Sequence, residues 1–204
     1  MAYAQREADP SAQREVLDKI RAQLDETIRQ TNQMLSLARA DSAPPQRQPF
    51  DAVALAEAQV RQWWGPAREQ GVDLGLDAPE HPLPLSGEPD LLREALANLL
   101  HNAIRHGGAG GHVTLTVRGE PDGAVHLSVV DDGPGLPPAE LPRAGERFFR
   151  GGGALPGSGL GLAIVRTVAQ RHGGQMRVAA GPEGRGLAVT LSLPATPAPG
   201  SVPG

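Results

Sequence analysis

The chain has 204 residues, 39% of them hydrophobic, a formal net charge of -4 and no cysteine. That is enough apolar material for one ordinary domain with a small appendage, and it excludes disulfides, thiolate catalysis and cysteine-ligated zinc. An acidic balance with only three Phe, two Trp and one Tyr argues against nucleic acid as a partner.

No apolar run approaches the roughly 20 residues of a membrane span, and Met1 to Pro10 lacks the apolar centre of a signal peptide, so the sequence by itself implies a cytosolic chain. Of the 19 Lys plus Arg, only Lys19 is lysine. A Walker-type phosphate loop needs a lysine after its last glycine, and eukaryotic-type kinases need one on a strand. Any grip on phosphate here must use arginine, backbone amides and metal.

Along residues 1–43, Val16, Leu17, Ile20, Leu24, Ile28, Leu35 and Ala38 recur at helical spacing, with Leu17, Leu24, Thr31 and Ala38 in heptad register until Ala43-Pro44-Pro45 ends the pattern. A stripe this long predicts a bundle or coiled-coil helix. With Ala2 to Ala8 as the end of a preceding helix and Asp9-Pro10-Ser11 as the turn, it predicts a dimerising hairpin.

After a Pro-rich linker, Ala52 to Gln70 reads as a helix, and Val72 to Leu76 and Leu83 to Ser86 as strands. Pro89 to His106 is a strong helix, with Pro in its first turn, Asp90 near its positive end and Gly107-Gly108 as the stop. Alternating Val113-Leu115-Val117 and Val125-Leu127-Val129 form a hairpin around the Gly119 to Gly123 turn. Leu136 to Ser158 is a Gly/Pro-rich loop of the length usual for a lid or a disordered segment. GLAIVRTVAQRHGG is a further helix, Met176 to Ala180 and Leu187 to Leu193 make a final hairpin, and residues 194–204 are a disordered tail by composition.

Four stretches carry chemistry. On the helix ending at His106, Glu94, Asn98, Asn102 and Arg105 fall within roughly 80° of one another, while Leu92, Leu96, Leu99 and Ala103 line another face. Asparagines inside a helix are poor helix formers. They are equally readable as partners of a neighbouring loop or as neutral oxygen ligands of Mg²⁺. Val129-Val130-Asp131-Asp132-Gly133-Pro134-Gly135 ends an apolar strand in an acidic glycine turn. It is either an ordinary Asp-Gly turn or a carboxylate able to accept from the amino group of a flat base lying on the glycines.

Glu146-Arg147-Phe148-Phe149-Arg150 places two arginines and two aromatics in the lid, where the Phe pair is expected to dock the lid onto the core while an arginine faces phosphate. Gly157-Ser158-Gly159-Leu160-Gly161 opens a helix. Because loop rather than strand precedes it, the dinucleotide reading fails. What survives is a helix N-terminus aimed at an anion.

In this order the four stretches resemble the catalytic domain of bacterial sensor histidine kinases. REALANLLHNAIRH looks like the N box of that family, DDGPG like G1, ERFFRG like the F box, and GSGLGLAIV followed by HGG like G2. The resemblance covers about residues 48–193. It implies an α/β (α+β) fold, a two-layer sandwich of a mixed sheet and helices, the Bergerat ATP-binding fold shared with gyrase-type and chaperone ATPases, preceded by the helical bundle. The ligands it implies are ATP and Mg²⁺.

Carried over by position, Asn102 is the principal Mg²⁺ ligand, Asn98 supports metal and phosphates, Arg105 holds phosphate, and Glu94 completes the catalytic face. Asp131 takes the adenine amino group, and Gly133 and Gly135 line the base pocket. Gly157, Gly159 and Gly161, with Ser158 and Leu160 between them, wrap the phosphates, and Arg147, Phe148 and Arg150 complete the lid. His106 stands where the family commonly has Tyr.

QTNQMLSLARAD resembles the end of the family's second dimerisation helix. The family's phosphoacceptor histidine, in a His-Glu or His-Asp context before Leu-Arg-Thr-Pro, has no counterpart at His81, His101, His106, His112, His126 or His172. Residues 1–43 therefore read as partial dimerisation helices lacking the acceptor. The resemblance further implies a homodimer through these helices, a response-regulator receiver domain as partner, and a full-length parent anchored in the membrane with this part in the cytoplasm. The rival readings are a gyrase- or chaperone-type ATPase and a non-catalytic nucleotide-binding module.

Overall fold

The computed structural model describes residues 44–151 and 158–194, together with Val16, Leu17, Ile20, Leu24, Thr27, Ile28, Thr31 and Met34. These eight are all helical and exposed, with the Thr31 hydroxyl donating to the Thr27 carbonyl at 2.9 Å. The rest of the predicted hairpin, Gly157 and the tail beyond Pro194 lie outside the described residues.

The domain begins with strand β1 (Gln48–Asp51), helix α1 (Ala52–Glu69) and strands β2 (Asp73–Asp77) and β3 (Pro84–Gly87). Helix α2 (Pro89–Gly107) leads into β4 (His112–Gly119) and β5 (Val125–Asp131). A long connection containing one 3-10 turn (Leu141–Arg143) precedes helix α3 (Gly161–Arg171), and β6 (Gln175–Ala180) and β7 (Leu187–Leu193) close the chain. The main sheet has the order β2-β4-β5-β7-β6, parallel only between β2 and β4; β1 and β3 form a separate antiparallel ribbon.

The periodicities explain the layers. Val113, Leu115 and Val117, Val125, Leu127 and Val129, and Val189, Leu191 and Leu193 alternate inward and are buried. From the helices, Leu92, Leu96, Leu99 and Ala103 of α2 and Ile164, Val165 and Val168 of α3 meet them. Each fully buried Leu or Val contributes about 1.5 to 3 kcal/mol against exposure. The opposite sheet face carries hydroxyls, with Ser128 bonded to Thr190 at 3.0 Å and His126 Nδ1 to Ser192 Oγ at 2.9 Å. A sheet with one apolar and one polar face, covered by helices on the first, is the two-layer sandwich expected.

Strand β1 was not expected. QPFD has no alternation, and it is extended because it pairs with β3, more than thirty residues away, with Gln48 opposite Gly87 and Asp51 opposite Pro84. Asp51 then ends the strand and caps α1, its carboxylate accepting from Val53 N at 3.0 Å and Leu83 N at 2.9 Å. α2 packs against both α1 and α3, which is why Ala95, Leu100 and Ile104 are buried as well as the predicted stripe.

Candidate functional site

The polar face of α2 and the start of α3 come together. Asn98 is 6% exposed and its amide donates to the Glu94 carbonyl at 3.1 Å. A Cβ on Gly161 would stand 3.2 Å from Asn102 Nδ2 and 3.8 Å from Asn98 Oδ1, so the start of α3 lies close against the two amides, and a side chain there would press on Asn102. Asn102, half-buried, has no side-chain hydrogen bond among the described residues. Glu94 and Arg105 are half-buried on the same face. His101 does not belong to this group, because its ring packs edge-to-face on Trp63 of α1, 5.9 Å between centroids.

At the end of β5, Asp131 is 7% exposed, accepts from Gly133 N at 3.0 Å and has no ion pair among the described residues. Burial therefore pushes its carboxyl above the usual range, against the Gly133 and Leu187 N–H bonds that lower it, with the Asp132 charge adding to the rise. Asp132 is pinned instead to the first residue of β4, accepting from His112 N at 2.8 Å and facing His112 Nδ1 at 3.1 Å.

The turn glycines are required by protein backbone. A Cβ on Gly133 would lie 2.6 Å from the His106 carbonyl oxygen, and one on Gly135, where φ is +67°, 2.4 Å from that of Gly186. His106, exposed at the end of α2, is lowered by partial desolvation and secondarily by Arg105.

The lid reading needs one correction. Phe148 is 68% exposed and sits at φ +64°, so it does not dock the lid onto the core. Backbone, not the ring, joins the two motifs here: Phe148 N donates to the Gly159 carbonyl at 3.0 Å, and a Cβ on Gly159 (φ +68°) would fall 2.7 Å from the Phe148 carbonyl carbon. Phe149 is half-buried with the Arg143 guanidinium 4.7 Å over its ring. Arg147 and Arg150 are exposed. Ser158 Oγ accepts from Leu160 N at 3.2 Å, and Leu160, 2% exposed, seats the first turn of α3.

The donor set suits a magnesium nucleotide. Mg²⁺ keeps several waters and takes few protein oxygens, in line with two amides and no group of three His, Asp or Glu among the described residues. The first N–H groups of α3 have no intrahelical acceptor, and the helix opens at Gly161 beside the amides of α2.

Residues 87–197 match the family model of histidine kinase-, DNA gyrase B- and HSP90-like ATPases. The chain belongs to this family. Among curated relatives, it is 36% identical over 159 residues to the signal transduction histidine-protein kinase/phosphatase MprB of Mycolicibacterium paratuberculosis (strain ATCC BAA-968 / K-10), covering 77% of this chain and 30% of that protein. The solved mycobacterial sensor histidine kinase MprB aligns at 32% identity and TM-score 0.65 over 74% of this chain and all of that one.

Full-length ShkA, solved with AMPPNP, aligns at 30% identity and TM-score 0.76 over 91% of this chain and 40% of that one. The chain spans about a third of the length of the curated relatives it matches. Membership makes ATP the ligand of the ATPase domain and the α/β sandwich its fold. No helix among the described residues is long and apolar enough to cross a membrane.

Sequence reasoning missed the cluster at the opposite ends of α2 and α3. Glu88 and Arg171 are bidentate at 2.5 and 3.0 Å, and buried His172 accepts from Glu88 N at 2.9 Å. HGG marks the family in sequence, but the partner of its histidine, 84 residues earlier, leaves no local signal.

Proposed function

We propose that the chain is the ATP-binding, phosphoryl-transferring part of a sensor histidine kinase. The contact that carries this reading is Gly161 against Asn98 and Asn102. Mg²⁺ would be held by Asn102, with Asn98 in support, and when bound it neutralises triphosphate charge. Arg105 and the first amides of α3 hold phosphate oxygens, Asp131 accepts from the adenine amino group, and the 136–158 connection, with Arg147 and Arg150, excludes water. The γ-phosphorus then exchanges its bond to the bridging oxygen of ADP for one to an imidazole nitrogen on a separate helix. Positioning and charge stabilisation supply most of the rate. ShkA's capture of AMPPNP supports the nucleotide assignment.

A hydrolytic ATPase of the gyrase or chaperone type is the second reading, and Asn98 disfavours it. Those enzymes place a glutamate one turn before the metal-binding asparagine to activate water, and an amide does not accept that proton. The exposed stripe Val16, Leu17, Ile20, Leu24, Ile28 and Met34 supports pairing with a second copy, and a receiver domain is the downstream acceptor. A membrane-anchored parent, with this part in the cytoplasm, completes the proposal.

Incubation with γ-labelled ATP, alone and with a separate helical bundle carrying the family's acceptor histidine, tests the activity. Acid-labile, base-stable label on the added bundle is expected. Stoichiometric label on this chain would overturn the separate-helix assignment, and His101 would be the first residue to replace.

A further inference from the structure

The two ends of the α2–α3 pair are both built contacts. At one end Gly161 meets Asn98 and Asn102; at the other, about 15 Å along α3, its last residue Arg171 holds Glu88, the N-cap residue just before α2. The side chains of Arg171 and Glu88 are 9% and 15% exposed. The pair is further enclosed by His172, whose Nδ1 donates to the Val168 carbonyl at 2.7 Å, leaving Nε2 to accept from Glu88 N. The His172 ring occupies the space a side chain at Gly87 would need, 2.5 Å from its missing Cβ.

The segment entering the domain lands on this same pair. Gln46 N donates to Glu88 Oε1 at 3.3 Å, Arg47 Nη2 donates to the Arg171 carbonyl at 3.4 Å, and the next residue, Gln48, pairs with Gly87 in the ribbon. From its place at the N-cap of α2, the Glu88 carboxylate thus binds the last residue of α3 and the segment that enters the domain. The hydrogen bonds to Arg171 hold Glu88 below the usual carboxylate range, so the pair is fully charged at neutral pH.

We propose that the Glu88–Arg171 pair is a positioning device that couples residues 46–47 to the spacing of α2 and α3, and through that spacing to the grip of Asn98, Asn102 and the α3 N-terminus on nucleotide. The proposal rests on the nucleotide reading above. Two rigid helices joined at both ends transmit a shift at one end as a tilt at the other. Such coupling is reciprocal: what the segment does to nucleotide affinity, nucleotide does to the segment's hold.

The test uses the full chain and MgADP. Gln46→Pro combined with Arg47→Ala removes both bonds from the segment and leaves the ion pair intact. Its thermal midpoint should stay within a few degrees of the parent, while MgADP binds about fivefold more weakly by calorimetry and, in the parent, slows exchange of the Gln46 amide by about the same factor. Glu88→Gln should abolish that slowing.

Equal MgADP affinity in parent and double variant, with Gln46 exchange indifferent to nucleotide, overturns the proposal. A parent that does not bind MgADP overturns the nucleotide reading instead, and exchange without ligand then decides on the pair. Faster exchange in the double variant at both 160–164 and 172–174 upholds the mechanical tie, and a change confined to positions 47 and 48 overturns it.

Discussion

Gly161 and Asn102 are in contact across the site: a Cβ on the first residue of α3 would stand 3.2 Å from the Asn102 amide nitrogen. Gly161→Ala forces the amide to give by a few tenths of an ångström. MgATP affinity is expected to fall about tenfold, ~1.4 kcal/mol, with the thermal midpoint nearly unchanged. Asn102→Ala should remove the Mg²⁺ dependence of ATP binding altogether. Calorimetry with and without EDTA reads both, and unchanged MgATP affinity in Asn102→Ala sinks the metal assignment.

Asp131 makes affinity and stability move in opposite directions. Its folded pKa is raised by burial, so its ionised form costs the empty domain stability above that pKa, and the cost disappears as pH falls through it. The ionised form is also the better acceptor for adenine. ATP and ADP affinity should therefore decline on acidification at a higher pH than an ordinary carboxylate would give. Asp131→Asn should weaken both nucleotides by about 1 to 3 kcal/mol while the empty domain melts no lower than the parent. Equal affinity of the parent for ATP and GTP would count against adenine reading by this residue.

His172 and Glu88 set the acid limb of stability. His172 is lowered, first by desolvation, so the unfolded chain takes up its proton first and stability declines as pH drops below about 6.5 toward the lowered folded value. Glu88, lowered chiefly by Arg171, contributes above its unfolded value of 4.5 and is lost as pH falls further through its folded value. Melting curves from pH 8 to pH 4 should show the first decline reduced in His172→Gln, with His106, also lowered by desolvation, keeping its own share. An undiminished decline in the variant would assign it to another group.

Phe148 spends its backbone in the left-handed region, where a bulky residue costs on the order of 1 to 3 kcal/mol, and recovers little by burial because it is 68% exposed. Phe148→Gly should leave the empty domain as stable as the parent or more so. A loss above about 1 kcal/mol by urea titration would show that the ring packs in solution.

The connection should close over ligand. Hydrogen exchange across 141–151, whose described backbone bonds are mostly short-range turns, should slow when an ATP analogue binds. Indifference of these amides to the analogue would contradict a phosphate-gripping role for Arg147 and Arg150.

The elements that could be read from sequence are those whose signal is local. α2 declared itself by its leucines, its first-turn proline and its two asparagines, and β4 and β5 by strict alternation. β1 could not be read, because Gln48 to Asp51 is extended only through its pairing with β3. The Glu88–Arg171 contact was hidden for the same reason, its partners lying 83 residues apart. Phe148 misled because an aromatic in an aromatic-poor chain suggests burial, whereas its conformation follows from the backbone of Gly159 lying against it.

The parallel pairing of β2 with β4 makes α2 part of a crossover, since strands running the same way cannot be joined by a hairpin. The length of chain between Asp77 and His112 is thereby tied to the sheet. The turn after α2 closes with Gly111 N donating to the Gly108 carbonyl at 3.1 Å and is tied to the loop after α1 by Gly110 N donating to the Gly71 carbonyl at 2.8 Å. On the route from β5 to α3, the bond from Phe148 N to the Gly159 carbonyl fixes the two ends of the chain between them independently of its length. Insertions and deletions would be absorbed between 149 and 158 and rejected between 107 and 111. Helix α2, with Asn98 and Asn102, thus has a fixed address in the sheet, and the connection ahead of α3 is the part of the chain whose length is open to change.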